Sequence, residues 1–239
     1  MKRLAMTFGF AAGLLAMAPG ISDAQGQGQS ESMPLPLKVV KTHVVNSRGE
    51  RVRLRGVNAP GLAWSNDGEG RLVIKTIEVA IRDWHVNIVR LPLSQDRWSG
   101  KEPHQKDGGK AYRALVHQAV DLCASHRGYI ILDLHETDFG ELGHHLGFHC
   151  MPDRNSLAFW KDVAHTYKNH PAVIFDLFNE PPGVKWEVWR DGGRVTETSK
   201  DGSKHEYEAV GMQALLDTVR GTGARNVVIV GGLDYAANL

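Results

Sequence analysis

Short, largely apolar runs recur along the chain at 54–58, 86–91, 129–134, 172–178 and 226–231, and longer amphipathic runs separate them. The short runs are rich in Val, Ile, Leu and Phe and predict buried strands. The longer runs, at 71–84, 110–127, 155–169 and 204–221, predict helices. In the third of these, Leu157, Trp160, Val163, Ala164 and Tyr167 fall on one helical face. Ahead of the first unit, 37–45 and 50–54 flank the turn Asn46-Ser47-Arg48-Gly49 and predict a β-hairpin. Buried strands alternating with helices predict a parallel sheet covered by helices.

The connections are asymmetric. Those following the strands are long (59–70, 92–109, 135–154 and 179–203), and those preceding them are short. Long loops at the C-terminal ends of parallel strands build the functional face of a (β/α) barrel. An open doubly wound sheet is the alternative, but no Gly-x-Gly-x-x-Gly opens a helix after the first strand. The fold expected is therefore α/β, of the (β/α)8 TIM-barrel type, with about five βα units and an N-terminal β-hairpin.

The first residues carry a different pattern. Lys2 and Arg3 precede an apolar run over 4–18, and Ser22-Asp23-Ala24 offers small residues for cleavage after Ala24. Residues 1–24 read as a secretory signal, with an N-terminal anchor as the alternative. Residues 25–36, rich in Gly, Gln and Ser at their start, read as a spacer, and 37–239 as the folded domain. The chain holds 28 basic and 27 acidic residues, and loss of Lys2, Arg3 and Asp23 leaves 26 of each. That balance argues against nucleic acid and favours a neutral substrate. The expected location is secreted or periplasmic, with no membrane contact once the signal is removed. Cys123 falls before the third strand and Cys150 in the loop after it. A strand of that length separates its ends by about 17–20 Å, and a disulfide needs Cα atoms within about 7 Å, so no bridge is expected.

Four strand ends deliver polar groups: Asn58 after Arg55-Gly56-Val57, Arg90 in Asn87-Ile88-Val89-Arg90-Leu91-Pro92, His135 after Ile131-Leu132-Asp133-Leu134, and Asn179-Glu180 after Phe178. Pro181 and Pro182 then forbid continuation of the fourth strand. A buried arginine needs a matching carboxylate, so Arg90 should have one nearby.

In order and spacing, Leu54-Arg55-Gly56-Val57-Asn58, Val89-Arg90-Leu91-Pro92, Leu132-Asp133-Leu134-His135 and Phe178-Asn179-Glu180-Pro181 resemble glycoside hydrolase family 5, a family of retaining (β/α)8-barrel cellulases and mannanases. The resemblance covers residues 37–239. It implies that Glu180 is the acid/base, that Asn179 contacts the sugar 2-hydroxyl, that Arg90 supports the nucleophile and that His135 lines the catalytic subsite. It implies no cofactor and no metal, a β-1,4-linked polysaccharide substrate such as cellulose or mannan, and a monomer when the barrel is complete. The nucleophilic glutamate belongs to the seventh strand of that family. Only five strands are legible before Leu239, so the nucleophile is expected beyond this chain, and the chain alone is expected to be inactive. An inactive carbohydrate-binding fragment and a metal-dependent hydrolase are the competing functions.

Other residues carry weaker expectations. Trp64 and Trp98, in loops after the first two strands, are candidate surfaces for stacking pyranose rings, ahead of Trp186 and Trp189. Trp84 and Trp160 sit on helices and are expected in the core. Glu136 and Asp138 read as loop polarity rather than catalytic acids. His144, His145, His149 and Cys150 are metal-compatible residue types in one loop, but their spacing fits no zinc motif, and substrate contact or plain loop is expected.

Overall fold

A computed structural model describes residues 33–137, 149–198 and 202–238. The expected signal, most of the spacer, and Asp138, His144 and His145 lie outside the described residues. The central sheet is parallel throughout, in the order β3 (Gly56–Asn58), β4 (Ile88–Ser94), β5 (Tyr129–Glu136), β6 (Val173–Asp176) and β9 (Val228–Ile229). Helices α1 (Gly68–Arg82), α3 (Lys110–Ser125), α4 (Arg154–Thr166) and α6 (Met212–Gly221) connect consecutive strands, and a short α2 (Gln95–Ser99) follows β4 directly. This is the sheet expected of a partial (β/α) barrel.

Local chemistry sets the helix starts. Asp153 opens α4 by accepting from the backbone N–H groups of Asn155 and Ser156, and Ser156 Oγ accepts from Asp153 N in return. Asp67 caps α1 through Gly70 N, and Ser94 caps α2 through Arg97 N. Gly100 ends α2 in the left-handed region, φ 72°, where an added Cβ would fall 2.3 Å from the Gly108 backbone.

Two expectations about elements change. The segment 37–45 is not one strand. It folds at Lys41-Thr42 into β1 (Leu37–Val40) and β2 (His43–Asn46), and the predicted turn at 46–49 is a second turn beyond it. Residues 204–221 are not one helix. Lys204–Val210 is β8, paired antiparallel with β7 (Gly192–Thr198), and the helix begins only at Met212. Burial along β8 alternates strictly through Tyr207, which is a strand's period of two rather than a helix's. The ribbon follows α5 (Trp186–Asp191) and fills the long loop after β6. Leu35, assigned to the spacer, accepts a hydrogen bond from Tyr129 Oη at 2.8 Å and so lies against the sheet.

The two faces of the sheet bury different things. Val89, Leu91, Leu93, Ile130, Leu132, Leu134 and Phe175 meet the helices, with Trp160 of α4 fully buried among them. Trp160 stands edge-on to Phe159 and Phe175 and donates its indole N–H to Leu177 O at 3.0 Å. On the opposite, inner face, Ile88, Tyr129 and Ile174 pack beneath the hairpin with Leu54, Ile131 and Val227. Two residues beyond Ile88, Ile131 and Ile174 that inner face turns polar. Among the described residues, no helix is long and apolar enough to cross a membrane. Cys123 and Cys150 are both free.

Trp160 anchors the backbone leading to Asn179. Trp160→Ala is expected to lower unfolding stability by about 3–5 kcal/mol, read from urea denaturation. Loss of less than about 1 kcal/mol would mean the core does not depend on it.

Candidate active site

The inner-face residues follow from strand periodicity. Ile88 is followed at i+2 by Arg90, Ile131 by Asp133 and then His135, and Ile174 by Asp176. Parallel register sets Asp133 directly beside Asp176 and Asn58 beside Arg90. The polar ends of β3, β4, β5 and β6 therefore converge on one patch at the C-terminal edge of the sheet.

Arg90 is the centre of that patch. Its Nη2 donates to Asp133 Oδ2 at 2.8 Å and to Asn179 Oδ1 at 2.9 Å. Its Nε reaches Asp176 Oδ2 at 3.3 Å, and its Nη1 reaches Asn58 Oδ1 at 3.3 Å. The carboxylate expected near Arg90 is thus two carboxyl groups, neither of which carried a role in the sequence reading. Their signal was present: Asp133 and Asp176 share the alternation that turns Arg90 and His135 inward.

Asp133 Oδ2 also sits 2.8 Å from His135 Nδ1. A proton on Nδ1 leaves Nε2 as the ring's acceptor. Asp133 is fully buried, while the His135 side chain is one-quarter exposed. Burial, and next the negative charge of Asp133, push the Asp176 carboxyl up to about 7, against the pull of Arg90. Near neutrality the Asp176 carboxyl therefore titrates beside the Arg90 guanidinium.

Asn179 is fixed from two sides. Its backbone N–H donates to Leu134 O at 3.0 Å, and Arg90 holds its Oδ1, leaving the Nδ2 amide for a ligand. Glu180 is next in the chain and exposed. Its φ is 46°, in the left-handed region that a glutamate rarely adopts. Arg90, His135, Asn179 and Glu180 are thus brought to one edge.

The tryptophans divide. Trp64 is 51% exposed and donates its indole N–H to Glu69 Oε1 at 2.8 Å, so it presents an open, fixed ring. Trp98, expected as a second stacking surface, is only 2% exposed. Its ring meets Phe159 edge-on and its N–H donates to Asp162 Oδ2 at 2.7 Å, because α2 turns it under the loop and onto α4. Trp186 is exposed and edge-on to Trp189, whose N–H donates to Gly231 O at 2.9 Å. Trp160 is core as expected, whereas Trp84 is two-thirds exposed.

One further expectation changes. Glu136 is not loop polarity: its side chain is largely buried against the guanidinium of Arg97. Burial pushes its carboxyl up to about 7 despite Arg97. His149 is buried; its Nδ1 lies 3.0 Å from Glu197 Oε2, and its ring stacks on Tyr207 at 4.3 Å. Cys150 N donates to the other oxygen of Glu197 at 2.5 Å, and burial pushes its thiol up to about 12. These groups tie the loop to the β7–β8 ribbon. Among the described residues, no cluster of three or more His, Cys, Asp or Glu is placed to hold a metal ion.

A helix-covered parallel sheet with its ionisable groups gathered at the C-terminal edge has the make-up of a (β/α)-barrel enzyme. The chain belongs to the cellulase family, glycosyl hydrolase family 5, whose model matches residues 45–239. An endoglucanase of Halalkalibacter akibai is 25% identical over 199 residues, which is 81% of this chain and 22% of that protein. Endoglucanase A of Butyrivibrio fibrisolvens is 24% identical over 156 residues, 65% of this chain and 33% of that protein. The chain thus spans a third or less of these curated relatives. Among solved structures, a β-glucanase of Saccharophagus degradans superposes with a TM-score of 0.62 at 21% identity, over 88% of this chain and 58% of that one.

Arg90→Ala strands the buried Asp133 carboxylate and is expected to cost about 3–5 kcal/mol in chemical denaturation. A variant as stable as the parent would show that the cluster is not the keystone of the sheet edge.

Asp176 and Glu136 have folded values near 7, above their ordinary 3.8 and 4.5. The stability each adds is fully present below about pH 4 and is lost as pH rises through about 7. Melting temperature is therefore expected to fall from pH 4 to 7 on their account, and Asp176→Asn to flatten part of that slope. A parallel slope in the variant would remove Asp176 from the explanation.

Proposed function

We propose that this chain is part of a secreted, retaining β-glycanase that cleaves β-1,4-linked polysaccharide of the cellulose type in polysaccharide breakdown. The observation that carries the reading is Asn179-Glu180 at a strand's C-terminal end, with Asn179 held by the Arg90 cluster. Membership of the cellulase family and relatives named endoglucanases support it. The basic, apolar and small-residue sequence of 2–24 supports secretion.

In this reading Glu180 gives its proton to the glycosidic oxygen and later takes one from water. Its exposure on a loop edge suits a group that must reach a polymer. The Nδ2 amide of Asn179 donates to the sugar 2-hydroxyl, a contact that strengthens as the oxocarbenium ion forms. His135 lines the same subsite, and Trp64 stacks on a pyranose ring. A retaining reaction needs a second carboxylate about 5–5.5 Å from the first. We assign it to the part of the family barrel outside residues 45–239, with Arg90 and its carboxyl partners as the floor beneath it.

The test is release of reducing ends from soluble β-1,4-glucan by the protein read through to the end of its coding frame. Glu180→Gln is expected to slow turnover by about 10²–10⁴-fold. An unchanged rate would refute Glu180 as acid/base, and binding without turnover would favour a carbohydrate-binding role.

A further inference from the structure

Glu136 follows His135 on β5 but faces the other way, away from the inner patch and toward α2 and the loop after β3. There it meets Arg97, whose side chain is only 5% exposed. Arg97 Nη1, the nitrogen that contacts Glu136, also donates to Ala63 O at 3.0 Å, and Nη2 donates to Trp64 O at 3.0 Å. One buried guanidinium thus grips the backbone on both sides of the bond leading into Trp64. Nearby, Tyr112 Oη donates to Leu62 O at 2.6 Å, and Glu69 holds the Trp64 indole. Leu62, Ala63 and Trp64 are therefore fixed in sequence by groups from α3, α2 and α1.

A guanidinium removed from water stays in place only if a negative charge is near enough to offset its desolvation. Glu136 places a carboxyl directly against it. Without that contact the guanidinium is held less firmly, and its grip on the two carbonyls weakens with it. The loop would then keep the Tyr112 attachment at Leu62 O and the Glu69 attachment at the indole, but lose restraint at Ala63 O and Trp64 O.

We propose that Glu136 is a positioning residue for sugar binding: by fixing Arg97, it holds the Trp64 backbone and so sets the height and tilt of the exposed indole. The sugar-binding part rests on the reading of Trp64 given above. The positioning part does not. β5 then serves both sides of the site, offering His135 inward and setting the Trp64 platform from its outer face.

Two readouts separate these parts. Deuterium uptake by a peptide spanning 60–67 is expected to speed up about tenfold in Glu136→Ala, the ratio that about 1.4 kcal/mol represents. Uptake across β4 should not change. Glu136→Gln keeps an acceptor for Arg97 without the charge and should fall between the parent and Glu136→Ala. If Glu136→Ala does not fold, Glu136→Gln alone carries the comparison, and uptake equal to the parent's overturns the proposal. Cellotetraose affinity, measured by calorimetry, should weaken about tenfold in Glu136→Gln or Glu136→Ala and no further once Trp64→Ala is present. Additive losses in that double-mutant cycle would overturn the route through Trp64. A parent chain that fails to bind cellotetraose counts against the sugar reading, while the exchange experiment still decides the positioning.

Discussion

A guanidinium held mostly out of water must find enough acceptors to replace its hydration, and Arg90 finds them on three other strand ends. Asn58, Asp133, Asp176 and Asn179 all turn toward it. No single contact explains the arrangement, because two acidic side chains set side by side would repel without the cation between them. Arg90 lets the acids approach, the acids keep Arg90 in place, and Asn179 takes its orientation from the same nitrogen that binds Asp133. The posture of the segment bearing Glu180 is thus a by-product of charge balance beneath it.

The same strand logic explains why a second, separate ion pair lies so close. β5 places Asp133 and His135 on its inner face and Leu134 and Glu136 on its outer face. The inner pair belongs to the Arg90 cluster. The outer acid belongs to Arg97, which binds carbonyl groups of the loop leading into α1. Two arginines, one on each side of a sheet edge, hold two kinds of surface: Arg90 the hydrogen-bonding groups below, and Arg97 the backbone of an exposed aromatic ring beside them.

The parallel sheet and most of its helices were legible because short apolar runs alternating with longer amphipathic ones leave few other folds. Glu180, Asn179, Arg90 and His135 were legible because polar residues at successive strand ends converge in any such sheet. Asp133 and Asp176 were missed because an acid inside an apolar run carries no local sign of its partner, which comes from another strand. The β7–β8 ribbon was missed because Lys204–Val210 runs directly into a true helix, and only the period of two in its burial separates them. Trp98 shows the limit of reading loops: its place after β4 suited a ligand surface, but α2 rotates it inward onto Phe159. Whether a loop aromatic faces solvent or core depends on packing partners distant in sequence.

The backbone at Glu180 has an implication for how this protein can change. A non-glycine residue at φ 46° sits in a conformation that costs on the order of 1–3 kcal/mol. Glycine would relieve that strain, so drift toward a sturdier fold would act to erase this carboxylate, as it would the side chains at the other left-handed positions. Thermal selection that ignores catalysis would therefore push against the side chain proposed as the acid. A stabilised descendant should keep its strengthening mutations elsewhere in the barrel if it is to remain an enzyme.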